Sequence, residues 1–64
     1  MKQTIRDFQG RIRGYIKTDE QGNKTVTNFY GVILGYYFVN DDTTRDFYHR
    51  IIARGDQTGM LFED

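Results

Sequence analysis

The chain has 64 residues, with nine basic and nine acidic side chains, one histidine, and no cysteine, proline or tryptophan. At this length it is one domain, and folding buries only roughly 60% of the unfolded surface, so stability is marginal without a staple or self-association. The missing cysteines exclude disulfides and thiolate metal sites, the lone histidine argues against a protein-only zinc or iron site, and the cancelled charge leaves little long-range field to recruit nucleic acid or an anionic membrane.

In chain order, the first predicted strand covers 3–7 and runs into Asp7-Phe8-Gln9-Gly10. Asp or Asn first and Gly fourth is the signature of a type I turn closed by a residue with positive φ, which joins antiparallel strands through a glycine bulge. A second strand follows at 11–18, and the same formula recurs at Asp19-Glu20-Gln21-Gly22. Strands at 24–28 and 32–39 flank Asn28-Phe29-Tyr30-Gly31, and Asn40-Asp41-Asp42 is a tight polar turn without glycine. Strands at 43–47 and 50–55 flank Asp46-Phe47-Tyr48-His49. A last turn of this formula is expected at Asp56-Gln57-Thr58-Gly59, within a tail at 57–64 whose Met60, Leu61 and Phe62 favour docking over fraying. Such frequent turns suit short strands in a meander.

Three phrases are copies of one another: Asp7 to Tyr15, Asn28 to Tyr36 and Asp46 to Arg54, with Thr4, Thr25 and Thr43 at one offset before each. Repeats at about 4–18, 25–39 and 43–56 therefore fill most of the chain, at a short period that means stacked supersecondary units. The predicted fold is all-β, with three tandem β-hairpin repeats in a curved antiparallel meander. One segment competes with this reading. Thr44 to Gly55 reads locally as a helix, with a threonine cap, Phe47 and Ile51 one turn apart and a terminal glycine, which would make the protein α+β with a helix near 44–54. The repeat is preferred, because histidine tolerates the positive φ that the third turn needs at His49.

Alternation within the strands predicts a face shared by Thr4, Arg6, Ile12, Gly14 and Ile16, with equivalents in the other copies, so that Ile12, Ile33 and Ile51 form the core column. Gly14, Gly35 and Ala53 keep one position small, which marks the close approach of a backbone or ring, and Phe8, Phe29 and Phe47 are the candidates to cover it. The middle strand, Val32 to Val39, is apolar on both faces. It must be covered twice, by curling outer hairpins or by a second subunit, and self-association is the preferred expectation.

No catalytic constellation emerges, since the acids sit at turns where they accept backbone hydrogen bonds and the only histidine is in a turn. The seven glycines are scattered turn and bulge residues rather than a phosphate loop, so no cofactor is expected. Arg11, Arg13, Tyr15 and Lys17 read as one strand face, with Arg50 and Arg54 at equivalent positions and Tyr36 and Tyr37 in the middle copy. Arginines beside tyrosines on a sheet can hold single-stranded nucleic acid, but at zero net charge the preferred reading is a solvated face. Arg54-Gly55-Asp56 spells an integrin-recognition tripeptide and is read as a strand end entering a turn. No leader pattern or membrane-length apolar run is visible, so a cytoplasmic setting is expected.

The phrase D-F-Y-G-R-I-x-G-Y resembles the repeats of small, mostly uncharacterised Gram-positive bacterial proteins, some of them associated with mobile elements. The likeness covers about 4–56 and rests on Asp7, Phe8, Gly10, Arg11, Ile12, Gly14 and Tyr15 and their counterparts around Phe29 and Phe47, with departures at Gln9, Val32 and His49. It implies a β repeat fold and no assigned activity, and leaves an interaction or assembly module as the expected function, with a nucleic-acid-binding accessory protein as the alternative. A weaker likeness is to Y-D-x-x-G-R repeats of large secreted shell proteins and to aromatic hairpin repeats that bind choline or glucan, which depend on tryptophan.

Overall fold

Six antiparallel strands form one open sheet in the computed structural model, which describes residues 1–62. They are β1 (Lys2–Arg6), β2 (Ile12–Thr18), β3 (Lys24–Asn28), β4 (Ile33–Phe38), β5 (Thr43–Asp46) and β6 (Ile51–Arg54), lying in the sheet in chain order. A short 3-10 helix, Thr58–Phe62, follows β6. The all-β meander is as predicted.

Four turns share one hydrogen-bond pattern, which explains why the strands end where they do. The Asp7 carboxylate accepts the N–H groups of Gln9 and Arg11, Asp19 those of Gln21 and Asn23, the Asn28 carbonyl oxygen those of Tyr30 and Val32, and Asp46 those of Tyr48 and Arg50, all at 2.9–3.0 Å. The fourth residue of each turn lies in the left-handed region, with φ of 83° at Gly10, 91° at Gly22, 87° at Gly31 and 67° at His49. Segment 44–54 is thus strand, turn and strand: Asp46 ties down the N–H groups of Tyr48 and Arg50, and a left-handed His49 cannot continue a right-handed helix.

Register repeats as faithfully as the turns. Ile5 faces Gly14, Val26 faces Gly35 and Thr44 faces Ala53, and at the next step Arg6 meets Ile12, Thr27 meets Ile33 and Arg45 meets Ile51. Each hairpin therefore carries a bulge with one extra residue, at Arg13, Leu34 or Ile52. These bulges overturn the predicted face. An uninterrupted alternation put Ile12 with Gly14 and Thr4, whereas Gly14 shares a face with Ile5 and Val26, and Thr4 lies on the other face opposite Tyr15. The isoleucine column is not the core: Ile12, Ile33 and Ile51 are all exposed.

The core sits instead on the face of Gln3, Ile16, Val26 and Gly35, where Ile16 and Val26 are the buried apolar side chains among the described residues. Leu61 and Phe62 of the 3-10 helix close over it, against β3 and β4. A Cβ on Gly35 would stand 2.8 Å from both Leu61 methyl groups and nearer still to the Arg45 carbonyl, and one on Gly14 would stand 2.6 Å from the Phe62 ring and nearer still to the Thr27 carbonyl. The cover assigned to Phe8, Phe29 and Phe47 is thus supplied by the tail, while those three rings stand exposed in the turns. Ala53 tolerates its methyl because β6 is an edge, with no following strand to press on it.

After β6 the chain leaves the hairpin pattern. The positive φ falls on Gly55, at 78°, and not on Gly59, so the expected turn at Asp56 to Gly59 is replaced by the 3-10 helix. Asp56 pairs with Lys24 and caps Thr58, whose N–H and hydroxyl it accepts at 3.4 and 3.0 Å. The strand-end reading of Arg54-Gly55-Asp56 holds, and the tail docks on the sheet face; Glu63 and Asp64 lie outside the described residues. Among the described residues no helix is long and apolar enough to cross a membrane.

Candidate functional site

Because connections in a meander alternate between its two ends, the turns holding Phe8, Phe29 and Phe47 share one end of the sheet, with neighbours two strands apart, or about 9–10 Å. Phe8 is 95% exposed, Tyr30 78% and Tyr48 64%. Phe29 lies against Tyr30 with centroids 4.1 Å apart, and Phe47 against Tyr48 at 3.9 Å. Ile12, Ile33 and Ile51 begin the strands just behind these turns, and Val32 and Ile52 lie beside them. Ten of the thirteen large apolar side chains exposed among the described residues thus gather at this end.

Each aspartate of the turn end is paired with an arginine four residues on, while Arg6 donates to the Gly10 carbonyl. Arg11 Nε meets Asp7 Oδ2 at 3.0 Å, and Arg50 Nε meets Asp46 Oδ2 at 3.0 Å. The middle copy replaces both partners together, with Asn28 and Val32, and keeps the turn. Asp7 is held below the usual carboxylate range first by the Arg11 N–H, with burial opposing and the Gln9 N–H and Arg11 guanidinium adding to it. At Asp46 burial pushes up, and the Arg50 and Tyr48 N–H groups with the Arg50 guanidinium outweigh it.

The second surface is the sheet face away from the tail. Pairing sets one row across all six strands: Lys2, Lys17, Thr25, Tyr36, Arg45 and Ile51. Thr4, Tyr15 and Thr27 flank it on one side, and Phe38, Thr43 and Arg54 on the other. Tyr36 stacks on the His49 ring at 4.6 Å and 6° between planes, and lies 5.8 Å from Phe38. Lys2 Nζ stands 4.3 Å from the Tyr15 ring centroid. A groove of about 410 Å³ runs between Tyr15 and the Phe29–Tyr30 turn, floored by Thr25 and Thr27, with Lys2 and Lys17 at its mouth.

The seven residues singled out in the sequence do not form one site. Tyr15, Tyr36 and Arg54 lie on the open face. Arg11 and Arg50 belong to the turns, paired with Asp7 and Asp46. Arg13 is a bulge residue whose guanidinium donates to the Phe62 carbonyl. Tyr37 is on the covered face, where its hydroxyl donates to Asp42 at 2.6 Å and that bond raises its pKa. Lys2, Phe38 and Arg45 were not singled out, and the signal that places them, the bulge register, lies in strand pairing.

Most of the doubly apolar β4 is covered within one chain, Ile33 at its turn end excepted. Leu61 covers Gly35 on one face, and on the other His49 stacks on Tyr36 and Phe38 while the Arg45 guanidinium lies 5.3 Å from the Phe38 centroid. Among the described residues no group of three or more His, Asp and Glu side chains is arranged to hold a metal. The chain matches no family model, and no curated protein or solved structure is significantly similar to it.

Proposed function

We propose that the chain is a non-enzymatic β-repeat interaction module that self-associates through the turn end of its sheet. The observation that carries this reading is the imbalance of apolar surface: Ile16 and Val26 are buried, while ten large apolar side chains crowd one end. An exposed apolar patch of this kind marks an interaction surface in a soluble domain, and a core this small leaves stability to be gained by covering it. The Asx turns suit such a contact, since in each the N–H groups of the third and fifth residues are already bound to the Asx side chain and lose nothing when water leaves.

The sheet edges favour this end over edge-to-edge assembly. Extending the repeat register, in which Gly14 meets Asn28 and Gly35 meets Asp46, would set Ala53 against Asp7 and Arg54 against Arg6 of a second copy. Two arginines directly opposite repel, and β6 is only four residues long before Gly55 turns the chain away.

Tyr30→Gln and Tyr48→Gln give the second and third turns the residue that Gln9 supplies in the first, so the fold is kept. Light scattering on a size-exclusion column, with circular dichroism on the same samples, is expected to show a multimer of the natural chain that dissociates in the double variant with its β spectrum intact. A natural chain that is monomeric across the concentration range, or a multimer indifferent to both substitutions, overturns the reading.

A further inference from the structure

Lys2 and Lys17 are directly opposite each other on the open face, with no carboxylate within ion-pair distance of either among the described residues. Like charges so placed destabilise a sheet, and an anion bound between them relieves the repulsion. Both lysines open onto the groove walled by Tyr15 and the Phe29–Tyr30 pair, so the anion they would hold lies beside flat aromatic faces. Rings continue across the sheet with Tyr36 and Phe38, and Arg54 adds a cation beyond them, while Arg45 and Asp41 pair with each other. Zero net charge hides this, because most acids serve the turns or, like Asp42 and Asp56, bond to Tyr37 and Lys24.

We propose that this open face binds single-stranded nucleic acid, with a phosphate drawing Lys2 Nζ off the Tyr15 ring to sit between Lys2 and Lys17 and a base stacking on Tyr15 in its place. The chemistry selects that ligand on three counts. A free phosphate uses the lysines and leaves the rings idle. A bare acidic peptide likewise offers no flat group to the Tyr15 face. A duplex keeps its bases stacked on one another, so it could meet the lysines but not the ring, whereas an unpaired strand offers phosphate and exposed base together. The groove, at about 410 Å³, lies in the range of small-ligand sites. The proposal shares the Phe29-Tyr30-Gly31 turn with the turn end and does not depend on self-association.

The test is fluorescence anisotropy with a labelled oligothymidine of about 12 nucleotides and a duplex of equal length, between about 50 and 200 mM salt. The natural chain is expected to bind the single strand, more weakly as salt rises, and in preference to the duplex. Lys17→Glu is the decisive variant: it sets a carboxylate opposite Lys2, so the fold is held or stabilised, while binding is expected to fall at least about tenfold. Tyr15→Ala is expected to cost about tenfold in affinity through lost stacking. Lys24→Gln removes an equal charge from the covered face and is expected to leave affinity within about twofold, since it touches no ligand atom. The proposal is overturned if the natural chain fails to bind at about 50 mM salt, if Lys17→Glu binds as the natural chain does, or if the duplex binds as tightly. None of these outcomes bears on the Tyr30 and Tyr48 mass experiment.

Discussion

Replacing Gly35 by alanine tests whether the three hairpins and the tail are one body. The added methyl would stand 2.8 Å from both Leu61 methyl groups, where carbon pairs ordinarily rest at about 3.5–4.0 Å, and nearer still to the Arg45 carbonyl. Leu61 can turn aside at the end of its side chain, but the carbonyl is held by the pairing of β4 with β5. Overpacking of this kind costs about 1–3 kcal/mol, and the entropy an alanine removes from the unfolded chain returns about 0.4–1 kcal/mol. The expected net loss is about 1–2 kcal/mol, a fall in Tm of roughly 5–15 °C at this size. Urea unfolding followed by circular dichroism measures it. Adding Leu61→Ala is expected not to restore stability, because the carbonyl remains and the tail loses its cover. At the same repeat position Ala53→Gly is expected to cost only about 0.5–1 kcal/mol, since no strand lies beyond β6. A Gly35→Ala protein within about 0.5 kcal/mol of the natural chain would refute the close approach.

His49 should behave as a strained residue retained for its ring. His49→Ala keeps the positive φ and loses the stack on Tyr36, so it is expected to cost about 1 kcal/mol, whereas His49→Gly relieves the strain and is expected to stay within about 1 kcal/mol of the natural chain; equal losses in thermal melts would contradict this. Thr44 occupies the position of Val26, yet its hydroxyl donates to the Gly55 carbonyl at 2.7 Å and accepts from the Gln57 N–H at 2.9 Å. Thr44→Val is therefore expected to destabilise by about 1–3 kcal/mol, and a neutral result in urea unfolding would show that the hydroxyl does not anchor the tail. Asp7, Asp41, Asp46 and Asp56 all have folded pKa values below their unfolded ones, so the stability they add is full above about pH 4 and is lost as pH falls through the folded values. Asn28 makes the same turn bonds as Asp7, so Asp7→Asn is expected to fold normally at neutral pH and to show a shallower acid loss of Tm; an unchanged acid limb would argue against the Asp7 linkage.

Turn chemistry was legible in the sequence because it is local. Asp or Asn first and glycine fourth specifies a hydrogen-bond pattern within five residues, and that pattern set the strand ends at Arg6, Thr18 and Asn28 to within a residue or so. Even the third turn, with His49 in the glycine position, followed from its neighbours. The buried face was not legible, because a bulge inserts one residue into a period of two and exchanges the faces beyond it, and the residues that bulge, Arg13, Leu34 and Ile52, share no chemistry to announce it. The tail was half legible: Leu61 and Phe62 were apolar enough to dock, but their target was the small column formed by Gly14 and Gly35, which the sequence marked only as a close approach to something.

The same division between local and long-range order accounts for the charge. Counted along the chain, nine acids cancel nine bases, and the open face looks inert. Counted by geometry, Asp7 and Asp46 are committed to the turns that carry Arg11 and Arg50, Asp56 is paired with Lys24 on the covered face, and Asp41 is held by Arg45. What remains on the open face is Lys2 opposite Lys17 beside Tyr15, with Arg6 further along the same edge strand and Arg54 on the far one. Three of the four Asx turns use an aspartate, Asp7, Asp19 or Asp46, which draws negative charge to the turns, and the bases left between them acquire a face of their own. That is why a chain with no net charge can present a basic, aromatic surface, and why reversing the single charge at Lys17 separates the cost of that surface to the fold from its use in binding.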